Sequence, residues 1–398
     1  MSQTANPFTV DERERIRSRF SRALSRPEIY LAHHSLGLPP DELLASLTRF
    51  ADLWYTQMDL AWEEWINEIK RFCANTAALI GMEGQDCVVM KTSCGQSLRA
   101  ILNSLPRNES LRPINIVATR GEFDSIDFIL KMYQDKGRAQ ITWVEPKLSD
   151  QGIPLFDAQA IVNAITPETD LVITSLVMFN TGQVLSGWDE IAAKAKECNA
   201  YLLGDAYHAV GVIPVDLAGF DFLMGGSYKY MLGGPGACWL AINPRLLESG
   251  ELRTLDTGWF AKKDTFKYQR QENAELSDGN TAWMESTPPV ITAYQANVGL
   301  SLIRELGVDR LRATSLAIQK EMREAFRSHG VQMIEPENPE EFGAFSLLPH
   351  SDGLGFCDEL RANGVAADAR AGFVRFGPSV TNRSEEFDRA GQAIASLL

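Results

Sequence analysis

Lys229 stands between two tyrosines in "GGSYKYMLGGPG" (225–236), after the apolar run Phe222, Leu223 and Met224 and before a Gly-Gly-Pro-Gly turn. A lysine taken out of water finds partners or loses its proton. A neutral lysine amine is a nucleophile toward aldehydes. Upstream, Asp205 closes the apolar run "YLLGD" (201–205), and His208 follows it in "GDAYHAVG". Earlier still, "KTSCGQS" (91–97) falls between a strand-like and a helix-like stretch, so its amides would crown a helix N-terminus, a ready anion site. An anion cradle, a carboxylate and a lysine, all at strand ends, are the parts that pyridoxal 5′-phosphate requires. Amides take the phosphate, the carboxylate keeps the ring nitrogen protonated and electron-withdrawing, and the lysine attaches the aldehyde. Singly, each residue has a plainer reading: Asp205 as a cap, His208 as a structural histidine, Lys229 as a side chain that reaches solvent past its neighbours. Their order and shared placement favour the cofactor site, with Lys229 as the attachment point.

That placement depends on the elements around them. Residues 40 to 80 read as helix, since "DELLASLTRFADLW" and "WEEWINEIKRF" repeat apolar residues every three or four positions. From 86 onward, short apolar runs ("DCVVM", "INIVAT", "QITWVEP", "DLVITSLVMF", "YLLGDAYH") alternate with amphipathic stretches ("GQSLRAILNSL", "SIDFILKMYQ", "DAQAIVNAI", "WDEIAAKAKECN"). "FDFLMGGS" and "GACWLAIN" add two strands around the lysine. Such alternation implies an α/β fold with a mainly parallel sheet covered on both faces, and in open sheets of this kind ligands sit at the carboxyl ends of the strands. A long amphipathic helix, "ITAYQANVGLSLIRELG", opens a smaller α+β C-terminal domain. The expected division is an N-terminal segment (1–40) packing with the small domain, a large cofactor-binding domain (41–287) and the small domain (288–398).

Composition narrows the partners. The 398 residues carry 52 acidic against 38 basic side chains, a net charge of −14, which argues against nucleic acid or an anionic membrane surface. No run approaches the roughly 18 apolar residues of a membrane span, and "MSQTANPFTVDERERIRSRF" lacks the apolar centre of a signal peptide. The six cysteines are scattered, without a CxxC pair, and read as reduced thiols of a cytoplasmic protein. Five histidines, two of them adjacent, give no dedicated metal cluster.

The stretch from 201 to 244 resembles the fold-type I, class V pyridoxal-phosphate enzymes and, among them, the kynureninases. Further stretches are similar to that family along nearly the whole chain: "IYLAHHSLGLPP" (29–40), "GEFDSIDF" (121–128), "FNTGQ" (179–183), "TGWFAKKD" (257–264), "MESTPPV" (284–290) and "VRFGPSVTN" (374–382). The resemblance implies a homodimeric enzyme that cleaves the Cβ–Cγ bond of kynurenine or a related amino acid and releases alanine. A class V aminotransferase, C–S lyase or epimerase is the alternative. It also implies roles. Cys94 and Gly95 would give amides to the phosphate, Phe123 would stack on the pyridine ring, and Ser175 would lie near the cofactor. Asp205 would pair with the ring nitrogen, with His208 beside it, while Tyr228 would reach the phosphate and handle a proton. Trp259 and Thr287 would approach the phosphate from a second subunit. Arg375 would clamp the substrate α-carboxylate in a two-pronged hydrogen bond, with Ser35 and His34 at the substrate. Two positions depart from the family pattern: His34 replaces an asparagine, and Thr287 stands where kynureninases carry asparagine. Trp54, Tyr55, Trp62 and Trp65 occupy the region where some kynureninases hold a histidine, and their helical spacing points to core rather than pocket.

Overall fold

Apolar residues alternate along the central strands between two separate cores, and this alternation fixes a sheet buried on both faces. Val117, Val172, Leu202, Leu223 and Trp239 point into one core with Phe72 and Leu300. Ile116, Ile173, Leu203, Met224 and Leu240 point into the other with Leu98 and Leu130. The computed structural model describes residues 5–105, 112–270 and 272–398. Its sheet has seven strands: β1 (Val88–Lys91), β2 (Ile114–Thr119), β3 (Ala139–Val144), β4 (Leu171–Ser175), β5 (Tyr201–Asp205), β6 (Phe222–Gly226) and β7 (Cys238–Ile242). They lie in the order β1-β7-β6-β5-β4-β2-β3.

Strands β2 to β6 run parallel, and β7 is antiparallel to both its neighbours. Two successive reversals return β1 to the common direction. The carboxyl end of β1, with the helix α1 (Cys94–Leu102) that follows it, therefore lies on the same edge as the ends of β4, β5 and β6. Register completes the arrangement: Ser175 pairs with Asp205, and Asp205 with Met224. Lys229 lies just beyond the end of β6.

The C-terminal domain has its own core, in which Met322, Phe326, Phe356, Val374, Phe376 and Phe387 meet. A three-stranded antiparallel sheet carries it: β8 (Ser346–Pro349), β9 (Asp368–Arg370) and β10 (Phe373–Phe376), in the order β8-β10-β9. The N-terminal segment joins this domain, since Ile29–Tyr30 pairs in parallel with Val365–Ala366. It then crosses to the lysine loop, where the Gly37 N–H donates to the Tyr228 carbonyl at 2.8 Å. The helix Val290–Leu306 packs against Trp62–Leu79, its Asn297 bonded to Asn75 and Glu68.

The helical aromatics divide differently from the expected core. Trp65 is buried, but Trp54 is 55% exposed and Tyr55 85% exposed, on a helix, Leu43–Gln57, that has no buried residue. Among the described residues no helix is long and apolar enough to cross a membrane, and no group of three or more His, Cys, Asp or Glu is arranged for a metal ion.

Candidate active site

Among the described residues two lysines are buried, and their surroundings differ. Lys91 gives its ammonium protons to the Glu285 carboxylate and the Trp283 carbonyl, both at 2.9 Å. Lys229, 6% exposed, meets the Nε2 of His208 at 2.6 Å. Burial lowers the Lys229 amine to about 8, against a modest opposing pull from Asp205. Burial, with Lys229 adding to it, also drives His208 well below the usual histidine range, so the imidazole is neutral and accepts at Nε2. His208 Nδ1 is buried without a partner. Lys91 is thus a satisfied ion pair, while Lys229 is an amine held close to neutrality.

Asp205, 5% exposed, accepts from the Tyr207 N–H at 2.8 Å, and burial raises its carboxyl to about 6. A carboxylate placed there with one amide donor fits a cationic N–H partner, which would bring its titration back down. Behind it stands Glu122. This buried carboxylate accepts from Ser175 N (3.1 Å), Ser175 Oγ (2.8 Å) and Thr119 Oγ1 (2.6 Å), and burial raises it to about 7.

The first amides of α1 lie across the cavity. Helix N-termini leave four N–H groups without intrahelical partners; Ser93 Oγ accepts that of Gln96 at 3.1 Å, while Cys94 and Gly95 line the cavity. The Phe123 ring, 36% exposed and edge-on to Phe179, lies 5.5 Å from Lys229 Nζ, and the Tyr207 ring 4.9 Å from it. Tyr228 packs on Tyr207, and burial raises its phenol, which holds its proton at neutral pH. The cavity these residues enclose is about 220 Å³ and is lined by Cys94, Gly95, Phe123, Ser175, Asp205, His208, Tyr228 and Lys229 together. An aromatic wall, an unpaired carboxylate, helix amides and a near-neutral amine in one cavity fit pyridoxal 5′-phosphate.

The other expected residues lie outside that lining. Arg375, 3% exposed, gives Nε–H and Nη2–H to Asp368 at 2.7 and 2.6 Å, and Nη1–H to the Phe179 carbonyl. His34, fully buried, donates from Nε2 to Asp368 at 2.6 Å, and Ser35 Oγ donates to the other carboxylate oxygen. His34 and Ser35 therefore sit behind Arg375 rather than on the cavity wall. Trp259 and Thr287 pair with each other, indole N–H to hydroxyl at 3.1 Å.

Sequence reasoning missed Glu122, Tyr207, Phe179 and Asp368. Glu122 carried no signal, because an acid beside a glycine reads as loop. Asp368 carried one: "DARAGFVR" is a hairpin whose Ala371 and Gly372 take positive φ, and its register sets Asp368 opposite Arg375.

Gly37 supplies a test of how tightly the lysine loop is held. A Cβ at residue 37 would lie 2.1 Å from the Lys229 carbonyl oxygen and 2.6 Å from a Leu232 methyl. Gly37→Ala is expected to displace the Lys229 backbone and cut cofactor retention by about tenfold or more, since misplacement near 1 Å carries losses of that order. Retention after dialysis, read by absorbance, checks it.

The chain matches a family model for class-V aminotransferases over residues 38–350 and a kynureninase C-terminal domain over residues 311–394. It is 26% identical over 392 residues to a kynureninase of Pseudomonas fluorescens, covering 94% of this chain and 90% of that protein. It is 25% identical over 376 residues to a kynureninase of Bacillus anthracis, covering 90% and 85%. Among solved structures, an apo cysteine desulfurase from Thermococcus onnurineus superposes with a TM-score of 0.80 at 17% identity, over 100% of this chain and 99% of that one. A cystine C–S lyase does so with a TM-score of 0.80 at 17% identity, over 94% and 98%. These two likenesses speak for the fold.

Proposed function

Because the chain belongs to the class-V aminotransferase family of pyridoxal 5′-phosphate enzymes, we propose that it is a kynureninase-like hydrolase of the cytoplasm, acting on kynurenine or a related amino acid. In that reaction water adds to the γ-carbonyl of the side chain, the Cβ–Cγ bond breaks, and an aromatic acid and alanine leave. The observation that carries the reading is the convergence of Lys229 Nζ, neutral His208 and one-sidedly bonded Asp205 on a single cavity. The kynureninase C-terminal domain, which supplies Asp368 and Arg375, supports this choice of reaction within the family.

The cofactor, when bound, supplies an electron sink that stabilises negative charge at the substrate Cα. The chain's own residues do the rest. Asp205 would hold the ring nitrogen, the Cys94 and Gly95 amides and Tyr228 would hold the phosphate, and Phe123 would cover the ring while Ser175 would border it. Lys229 would hold the aldehyde end and, when free, would take the Cα proton; an amine lowered to about 8 is suited to both roles near neutral pH. His208 accepts from Lys229 Nζ without competing for its proton. Tyr228 keeps its phenolic proton and can give it as general acid. Arg375 receives the α-carboxylate.

The Trp259–Thr287 pair lies outside the cavity, beside the exposed rings of Phe266 and Tyr268. That surface supports a homodimer in which each copy lends the pair to its partner's phosphate. Trp259→Ala is expected to lower cofactor retention several-fold, more at protein concentrations where sedimentation finds monomer, a dependence that a purely internal role for Trp259 would not produce. Incubating the loaded protein with L-kynurenine and measuring alanine and anthranilate tests the reaction. Turnover only with a keto-acid acceptor would assign an aminotransferase instead.

A further inference from the structure

Arg375 is placed to hold a carboxylate, yet in the structure it already holds one. The Asp368 carboxylate takes its Nε–H and one Nη2–H, and the Phe179 carbonyl takes one Nη1–H. A guanidinium has five N–H donors. Two are left, one on each terminal nitrogen, the number that a two-pronged carboxylate contact takes up.

Asp368 is itself held from behind. His34 Nε2–H meets Oδ1 at 2.6 Å, and Ser35 Oγ–H meets Oδ2, so that each oxygen accepts one bond from Arg375 and one from the N-terminal segment. Against the opposing effect of burial, the hydrogen bonds from His34 and Arg375 and the Arg375 charge hold the Asp368 carboxyl far below the usual carboxylate range. Burial keeps His34 uncharged, at about 4. Its other nitrogen, Nδ1, is buried without a partner and lies against Gly377, where a Cβ would come within 2.3 Å. A side chain at residue 377 would displace the imidazole from this position. The N-terminal segment is in turn fixed by Ile29–Tyr30 pairing and by the Gly37 bond to the lysine loop.

We propose that Asp368, backed by His34 and Ser35, is a positioning residue that aims the two remaining N–H groups of Arg375 at the substrate α-carboxylate, and so selects amino acids over amines. The inference rests on the reading of Arg375 as the carboxylate clamp. Asp368 carries a cost, because its negative charge opposes a second carboxylate nearby. Orientation outweighs that cost because Arg375 is 3% exposed. A buried arginine deprived of its partner leaves donors unsatisfied and turns toward another acceptor. Asn at this position would also set an N–H₂ against the guanidinium.

The test uses the cofactor-loaded protein and reads the cofactor's absorbance during titration with L-alanine and, separately, with ethylamine, the same amine without a carboxylate. Asp368→Asn is expected to raise the half-saturating L-alanine concentration roughly 10- to 100-fold, the scale for truncating one partner of a buried charged pair, and to leave ethylamine unchanged. In an Arg375→Met background the Asp368→Asn effect should vanish, as a coupled pair requires. Tighter L-alanine binding in Asp368→Asn would make Asp368 a competitor and overturn the proposal. Equal losses for both ligands, or none, would make it merely structural. Arg375→Met alone tests the premise: unchanged L-alanine binding there would remove the clamp itself, whatever Asp368 does. If Asp368→Asn fails to fold, Ser35→Ala, which deletes one hydrogen bond to the carboxylate, should give the same selective loss at about threefold; an equal or absent effect on the two ligands would again refute it.

Discussion

Replacing Lys229 by alanine should abolish covalent capture of the cofactor and lower turnover by at least about 10³-fold, since in the proposed mechanism one side chain serves as both the attachment and the base. Among the described residues it is the one amine that lines the cavity, and neither Tyr228 nor neutral His208 can take its place as a nucleophile toward the aldehyde. Borohydride treatment followed by peptide mapping reads the result directly. Wild type should yield a cofactor-bearing peptide containing Lys229, and Lys229→Ala none. The pH dependence follows from the same amine. Burial depresses Lys229 to about 8, so its reactive neutral form grows as pH rises through that value. Capture of pyridoxal phosphate by apoprotein should accelerate from pH 7 to 9 and then level off. An ordinary lysine would still be accelerating beyond pH 10.

Asp205→Asn should act in opposite directions on function and on stability. Turnover should fall by about 10²-fold or more, because the ring nitrogen would lose the carboxylate proposed to keep it protonated. The apoprotein should gain stability. In the fold the Asp205 carboxyl is raised to about 6, above its ordinary 3.8, so folded chains bind this proton more tightly than unfolded ones. Its contribution is fully present below about pH 4 and is lost as pH rises through about 6, a loss on the order of 3 kcal/mol. At pH 8 the Asp205→Asn apoprotein should therefore melt above wild type, and near pH 4 the two should converge. Thermal unfolding of both at the two pH values checks it. Equal melting at pH 8 would mean that Asp205 is not held against the cost of its charge.

The expected site residues that the structure gathers at one cavity are mostly those at a strand end. Asp205, Lys229 and Cys94–Gly95 each follow a buried run, and the shared carboxyl edge of a parallel sheet brings such positions together. Asp368 belongs to another class. Its effect depends on the β9–β10 register and on an N-terminal segment more than 300 positions away in sequence (|i−j| = 334 from His34), so neither motif nor periodicity exposes it. Glu122 is similar, since its burial comes from the β4 end meeting the β2 end. His34 and Ser35 were found as residues of interest, but their side chains face Asp368. The aromatics at 54 and 55 show the converse limit: helical spacing identifies an apolar face without saying what covers it.

The reaction proposed for this cavity is hydrolysis of a kynurenine-type amino acid, with pyridoxal phosphate held by Lys229 and Asp205. The direct measurement is a single-turnover reaction of loaded protein with L-kynurenine, without any keto acid, following alanine and anthranilate together. That reaction should yield equal amounts of both, absent in Lys229→Ala. Loaded protein that binds L-kynurenine and releases neither product would contradict it.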